Sequence, residues 1–112
     1  MARDTETEDV VSVGSPRHFQ AVLERFDQVL VYFYADWSDP CSEVEPSVDA
    51  LAEEGVSPVA KVDVEENDRV ASVYSVSSVP TLVVFDDGDP ATRAVGAKSR
   101  EDLFEFVERA RR

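Results

Sequence analysis

One thiol and its neighbours hold the chemistry this chain could perform. Cys41 is the single cysteine, and it closes the run Trp37-Ser38-Asp39-Pro40-Cys41 directly after the apolar segment Val29-Leu30-Val31-Tyr32-Phe33-Tyr34-Ala35. A thiol at the start of a helix that follows a buried strand is placed for thiol–disulfide exchange. The helix N-terminus carries partial positive charge and favours the attacking thiolate, whereas burial and the adjacent Asp39 oppose it. Dithiol catalysis needs a second cysteine three residues earlier, and that place is Ser38. A serine hydroxyl without an adjacent histidine does not attack at neutral pH. The one histidine, His18, falls on the first predicted helix with no motif around it. Ser38 suits an N-cap instead, its oxygen accepting the Cys41 amide for about 1 kcal/mol. Two readings of Cys41 stay open: a thiol able to form a mixed disulfide, and an inert, half-buried core cysteine.

Other chemistries find little support. A lone cysteine rules out an internal disulfide framework, and one histidine with one distant cysteine does not make a metal-ligand set. The four glycines are isolated, so no phosphate-cradling loop is present. No cofactor is implied.

The elements that must carry this site are legible from periodicity. Val10 to Val13 reads as a short strand, broken by Gly14, and Ser15-Pro16 supplies an N-cap and a first-turn proline. Phe19, Val22, Leu23 and Phe26 share one helix face. Val29 to Tyr34 is apolar throughout, as a strand covered on both faces requires. After the thiol, Cys41, Val44, Val48 and Leu51 mark the inner stripe of a second helix that ends near Gly55 and is kinked at Pro46. Val59 to Val64 follows as a third strand, and Asn67 is placed to cap a short helix through Val73. Thr81 to Phe85 is a fourth strand, with Gly88 allowing a turn into a fifth around Thr92 to Val95. Ser99 and Asp102 resemble a capping box opening a last helix with Leu103, Phe106, Val107 and Ala110 inward. Alternating strands and helices with a closing hairpin predict an α/β sandwich.

With 112 residues and 43% hydrophobic content, one core in one domain is expected. Residues 1–9 are polar and acidic and read as a flexible arm before a domain over residues 10–112. No apolar stretch reaches the length of a membrane span, and the polar start does not resemble a signal peptide, so a cytoplasmic location is expected and a membrane partner is not. The net charge of -13, from 24 acidic and 11 basic residues, makes nucleic acid an improbable partner. Lys61 and Lys98 are the lysines, the other basic residues are arginines, and acids are spread along the chain rather than gathered in one tail. Self-repulsion of this kind is tolerated where salt screens it, which points to a halophilic, salt-adapted cytoplasm.

Trp37-Ser38-Asp39-Pro40-Cys41 resembles the W-C-G-P-C site of thioredoxins. Matches continue in that family's order: Phe33 and Ala35 before the site, Pro46 in the next helix, Val59 to Asp63, Val79-Pro80-Thr81, the Asp87-Gly88-Asp89 turn and Val95-Gly96-Ala97. The resemblance implies a thioredoxin fold, a mixed five-stranded sheet flanked by four helices. It implies that Cys41 is the resolving-type thiol and that Ser38 sits at the substituted nucleophile position. Tyr32 then occupies the place of a buried carboxylate that assists the resolving thiol, and a tyrosine is no base near neutral pH. Pro80 would follow a cis bond, against a sequence prior of only about 5% for any X-Pro bond. Trp37, Asp39, Pro40, Val79, Pro80, Gly96 and Ala97 would form the rim that receives partner chains, with Lys61 beneath near the buried site.

The reading that follows is a protein of thiol–disulfide redox homeostasis without dithiol turnover. It would bind extended or unfolded polypeptides, and could hold a thiol-containing protein through Cys41. Family members with an S-x-x-C site act as chaperone-like binders. Two alternatives stay open. One is a protein-disulfide reductase present as a Cys-to-Ser form, served by a thioredoxin reductase if its native site is C-x-x-C. The other is a non-catalytic adaptor docking a basic partner.

Overall fold

The computed structural model describes residues 10–111, so the expected arm over residues 1–9 lies outside it. The chain runs β1 (Val10–Ser12), α1 (Pro16–Arg25), β2 (Gln28–Tyr34), α2 (Asp39–Glu53), β3 (Val59–Asp63), α3 (Asp68–Val73), β4 (Thr81–Asp86), β5 (Asp89–Val95) and α4 (Arg100–Ala110). The five strands form one sheet in the order β1-β3-β2-β4-β5. The β1, β3 and β2 strands are parallel, whereas β4 and β5 run antiparallel to their neighbours.

Two cores result from the alternation of side chains along the strands. Val29, Val31 and Phe33 of β2 join Val83 and Phe85 of β4 on the face that packs Phe19, Val22 and Leu23 of α1 and Val70 of α3. Leu30 and Tyr32, with Leu82 and Val84, face the other way, onto Cys41, Val44, Val48 and Leu51 of α2 and Leu103 and Val107 of α4. This is why β2 had to be apolar from Val29 onward: helices cover both of its faces. On the α1 face, Phe19 meets Phe85 and Tyr74 edge-on at ring-centroid distances of 5.6 and 5.7 Å.

Caps set the helix starts. Ser15 Oγ accepts the His18 amide, Ser38 Oγ the Cys41 amide and Ser99 Oγ the Asp102 amide. His18 has a local task as well, its Nδ1 accepting the Gly14 amide at 3.0 Å. Asn67 departs from expectation. It stands at the N-cap of α3 but makes no side-chain cap bond, and its Nδ2 donates instead to the carbonyls of Val13 and Asp63, tying the ends of β1 and β3 together.

The fifth strand is longer than periodicity predicts, beginning at Asp89 rather than Thr92. Asp87 and Gly88 both take positive φ (52° and 86°), the two-residue turn that matches strand twist, so pairing resumes at once. Pro90 is admitted because β5 is an edge strand and a register shift lies opposite it at Val84/Phe85.

Candidate functional site

The site lies at the end of β2 where the chain turns into α2. Ser38 is 5% exposed, and its Oγ accepts the Cys41 amide at 3.3 Å. The hydroxyl is therefore used as a cap. Cys41 is 2% exposed and packs with Tyr32, Val44 and Val48 in the α2-side core. A thiol so covered should react slowly with iodoacetamide in the folded chain. Alkylation should accelerate by at least about tenfold once urea unfolds the protein, because access then ceases to limit it; equal rates in both states would mean that the thiol is open.

Tyr32 lies directly beneath. It pairs with Lys61 across β3 and with Leu82 across β4. Its hydroxyl donates to the Cys41 carbonyl at 3.1 Å, and its ring stacks on Tyr34 at 5.3 Å. A side chain in the place where the family resemblance implies an acid thus holds the first turn of α2 rather than moving a proton. Tyr32→Phe should cost about 0.5–1.5 kcal/mol in urea unfolding, the ordinary worth of one such bond. A loss near zero would mean that the hydroxyl holds nothing.

Lys61 reaches from β3 to two carboxylates of α2, Glu45 at 3.1 Å and Asp49 at 2.8 Å. Burial alone would lower its pKa, but these two partners outweigh it and raise the ammonium above its ordinary 10.5. Burial also raises the Tyr32 phenol far above its ordinary 10.0, with the charges of Cys41 and Glu45 adding to the effect. Both groups hold their protons more tightly when folded. Their stabilisation is complete below the unfolded values and is lost as pH climbs through the folded ones. The urea midpoint should therefore fall above about pH 10, and Tyr32→Phe should make that fall shallower. A midpoint flat up to about pH 11 would contradict the assignment.

Three loops carry the residues of the expected rim. The Val79–Pro80 bond is cis, and the Gly96 amide donates to the Pro80 carbonyl at 2.8 Å, which fixes the loop after β5 beside it. Gly96 has φ of 97°, a conformation that suits glycine. Trp37 and Val79 line one cleft together with Val64, Val76, Ser77 and Ser78. Trp37 is 67% exposed, and its Nε1 donates to Glu65 Oε2 at 2.6 Å. Asp39, Pro40 and Ala97 are exposed, while Pro80 is buried.

Sequence reasoning missed Glu45 and Asp49 as partners of Lys61, Glu65 as the partner of Trp37, and the Val76-Ser77-Ser78 wall. The i, i+4 spacing of Glu45 and Asp49 was a usable signal, since it sets both carboxylates on one side of a helix. Glu65 gave none, because its contact depends on a loop crossing 28 residues of sequence separation.

The family model described as Thioredoxin matches residues 10–109. A thioredoxin from Staphylococcus aureus is 42% identical over 82 residues, covering 71% of this chain and 79% of that protein. Among solved structures, a mutant thioredoxin from Halobacterium salinarum superposes with a TM-score of 0.89 at 38% identity, covering 96% of each chain. A Fasciola hepatica thioredoxin gives 0.83 at 32% identity, over 89% of this chain and 98% of that one. The family match, the curated relative and the structural likeness agree, and the chain belongs to the thioredoxin family.

Proposed function

We propose that this redox-family protein binds extended polypeptide on the Trp37/Pro80 surface and, in the form given, does not turn over as a dithiol reductase. One observation carries the reading: Ser38 occupies the attacking position with its oxygen bonded as a helix cap, and Cys41 is the chain's single thiol. Release of a mixed disulfide requires a second thiol close by. A mixed disulfide formed when the Cys41 thiolate attacks a partner's disulfide and displaces one of its sulfurs as a thiolate would therefore persist until that displaced thiol or an outside thiol broke it. The cleft of Trp37, Val64, Val76 and Val79 supplies the apolar floor for an extended segment, and the exposed indole supplies contact area.

The second reading, a protein-disulfide reductase in a Cys-to-Ser form, is favoured by Cys41 itself, retained under the first turn of α2 where a resolving thiol belongs. A thioredoxin reductase would then be a partner of the C-x-x-C form. The acidic composition fits a salt-rich cytoplasm, and no helix among the described residues is long and apolar enough to cross a membrane. Trp37 is the one tryptophan, so its emission reports the surface directly. A permanently unfolded polypeptide free of cysteine and tryptophan should shift that emission saturably, and Val79→Asp should weaken the binding. Emission indifferent to such a polypeptide would overturn the binding reading.

A further inference from the structure

The bond between Trp37 and Glu65 places a carboxylate at the edge of an indole that is 67% exposed. An aromatic face bordered by a fixed anion fits a cation: the ring attracts positive charge through its quadrupole, and the carboxylate supplies an ion pair to the same group. Asp36 and Asp39 flank Trp37 in sequence and are exposed, and Glu66 follows Glu65. Three cations of the chain are directed elsewhere. Lys61 is held by Glu45 and Asp49, Arg93 by the carbonyls of Tyr74 and Ser75, and Lys98 lies over the Phe106 ring. Asp68 and Arg69 of α3, one acid and one base, are both exposed. Beside the indole, the cleft wall is apolar at Val64, Val76 and Val79.

Resting on the polypeptide-binding reading above, we infer that Trp37 and Glu65 form a cradle for an arginine or lysine side chain. The preferred segment is extended and carries that cation next to a residue with an apolar side chain. The cation stacks on the indole while its neighbour enters the valine-lined cleft. A guanidinium suits the cradle better than an ammonium, because its plane stacks on the ring and its donors fork toward the carboxylate.

The test uses an extended peptide free of cysteine and tryptophan, with one arginine beside a valine, and counterparts carrying glutamine or glutamate in place of the arginine. Titrations follow Trp37 emission at about 1 M potassium chloride, where a Debye length of ~3 Å leaves contact interactions and removes the field of the wider acidic surface. The arginine peptide should bind at least about tenfold tighter than the glutamine one, with the glutamate peptide weakest. Glu65→Gln keeps an oxygen for the indole N–H, so the ring stays in place. It should cut the arginine preference over glutamine to below about threefold. Equal binding of arginine and glutamine peptides would overturn the cradle and leave polypeptide binding standing. A preference that survives Glu65→Gln would overturn it too, assigning the effect to diffuse charge. No binding by any of the three peptides would sink both.

Discussion

Ser38→Cys should turn the chain into a catalyst of insulin reduction by dithiothreitol. The gain over the parent chain should be on the order of 10- to 100-fold, a small part of what one essential group contributes in a complete catalytic set. The expectation follows from the position. Ser38 and Cys41 stand three residues apart across the start of α2, with the Ser38 oxygen already 3.3 Å from the Cys41 amide. A sulfur there meets the helix N-terminus, where a thiolate is favoured, and has a resolving thiol within one turn. The gain should remain below that of a complete site, because Tyr32 cannot take a proton from Cys41 near neutral pH. Adding Tyr32→Asp should raise the rate again, by up to about 100-fold if general-base assistance is restored. The new carboxylate would sit beside Lys61, across the β2–β3 pair. Circular dichroism and urea midpoints on each variant separate loss of fold from loss of chemistry. Activity that appears only in the double variant would make the missing acid a greater defect than the missing thiol.

The second large effect is on stability. With a net charge of -13 on a small domain, like charges lie within a Debye length of ~10 Å at 0.1 M salt and repel. Unfolding relieves that repulsion by spreading the charges apart, so low salt favours the unfolded chain. Shortening the length to ~3 Å at 1 M should return on the order of 2–3 kcal/mol to the folded state. With a urea slope of about 1–3 kcal/mol per molar, the midpoint should climb by roughly 1 M urea or more between low salt and 1 M potassium chloride. The ion pairs on the surface run against this trend only slightly. Arg109–Glu105 and Arg111–Glu108 are exposed, and such pairs are worth little even before screening. A midpoint flat across the series would remove the salt-adaptation proposal and leave the acidic surface to be explained by a basic partner.

Much of this architecture is written locally in the chain. The unbroken apolar run of β2 states that both of its faces are covered, and the four-position stripe Cys41, Val44, Val48 and Leu51 states which side of α2 turns inward. The caps at Ser15, Ser38 and Ser99 are equally legible, because each needs only its own first turn. Asn67 takes the N-cap place but not the cap bond, for the opposite reason. Its residue type favours an N-cap, but the carbonyl ends of two strands compete for its amide and win, a choice that depends on tertiary position. The early start of β5 was hidden by Pro90, which reads as a strand breaker until the strand is known to be an edge. At the site, the thiol and its serine neighbour stand in the sequence. The partners that fix them, Tyr32 on the Cys41 carbonyl and Glu65 on Trp37, span strands and loops that only folding brings together.

The expected absence of dithiol turnover meets its most direct test in the unmodified chain. Insulin is reduced by dithiothreitol with and without catalytic amounts of the protein, and precipitation of the freed B chain is followed over time. The expected result is the same rate in both, since Cys41 has no second thiol to complete an exchange and Ser38 contributes only a cap. Acceleration comparable to that of a dithiol thioredoxin would contradict it.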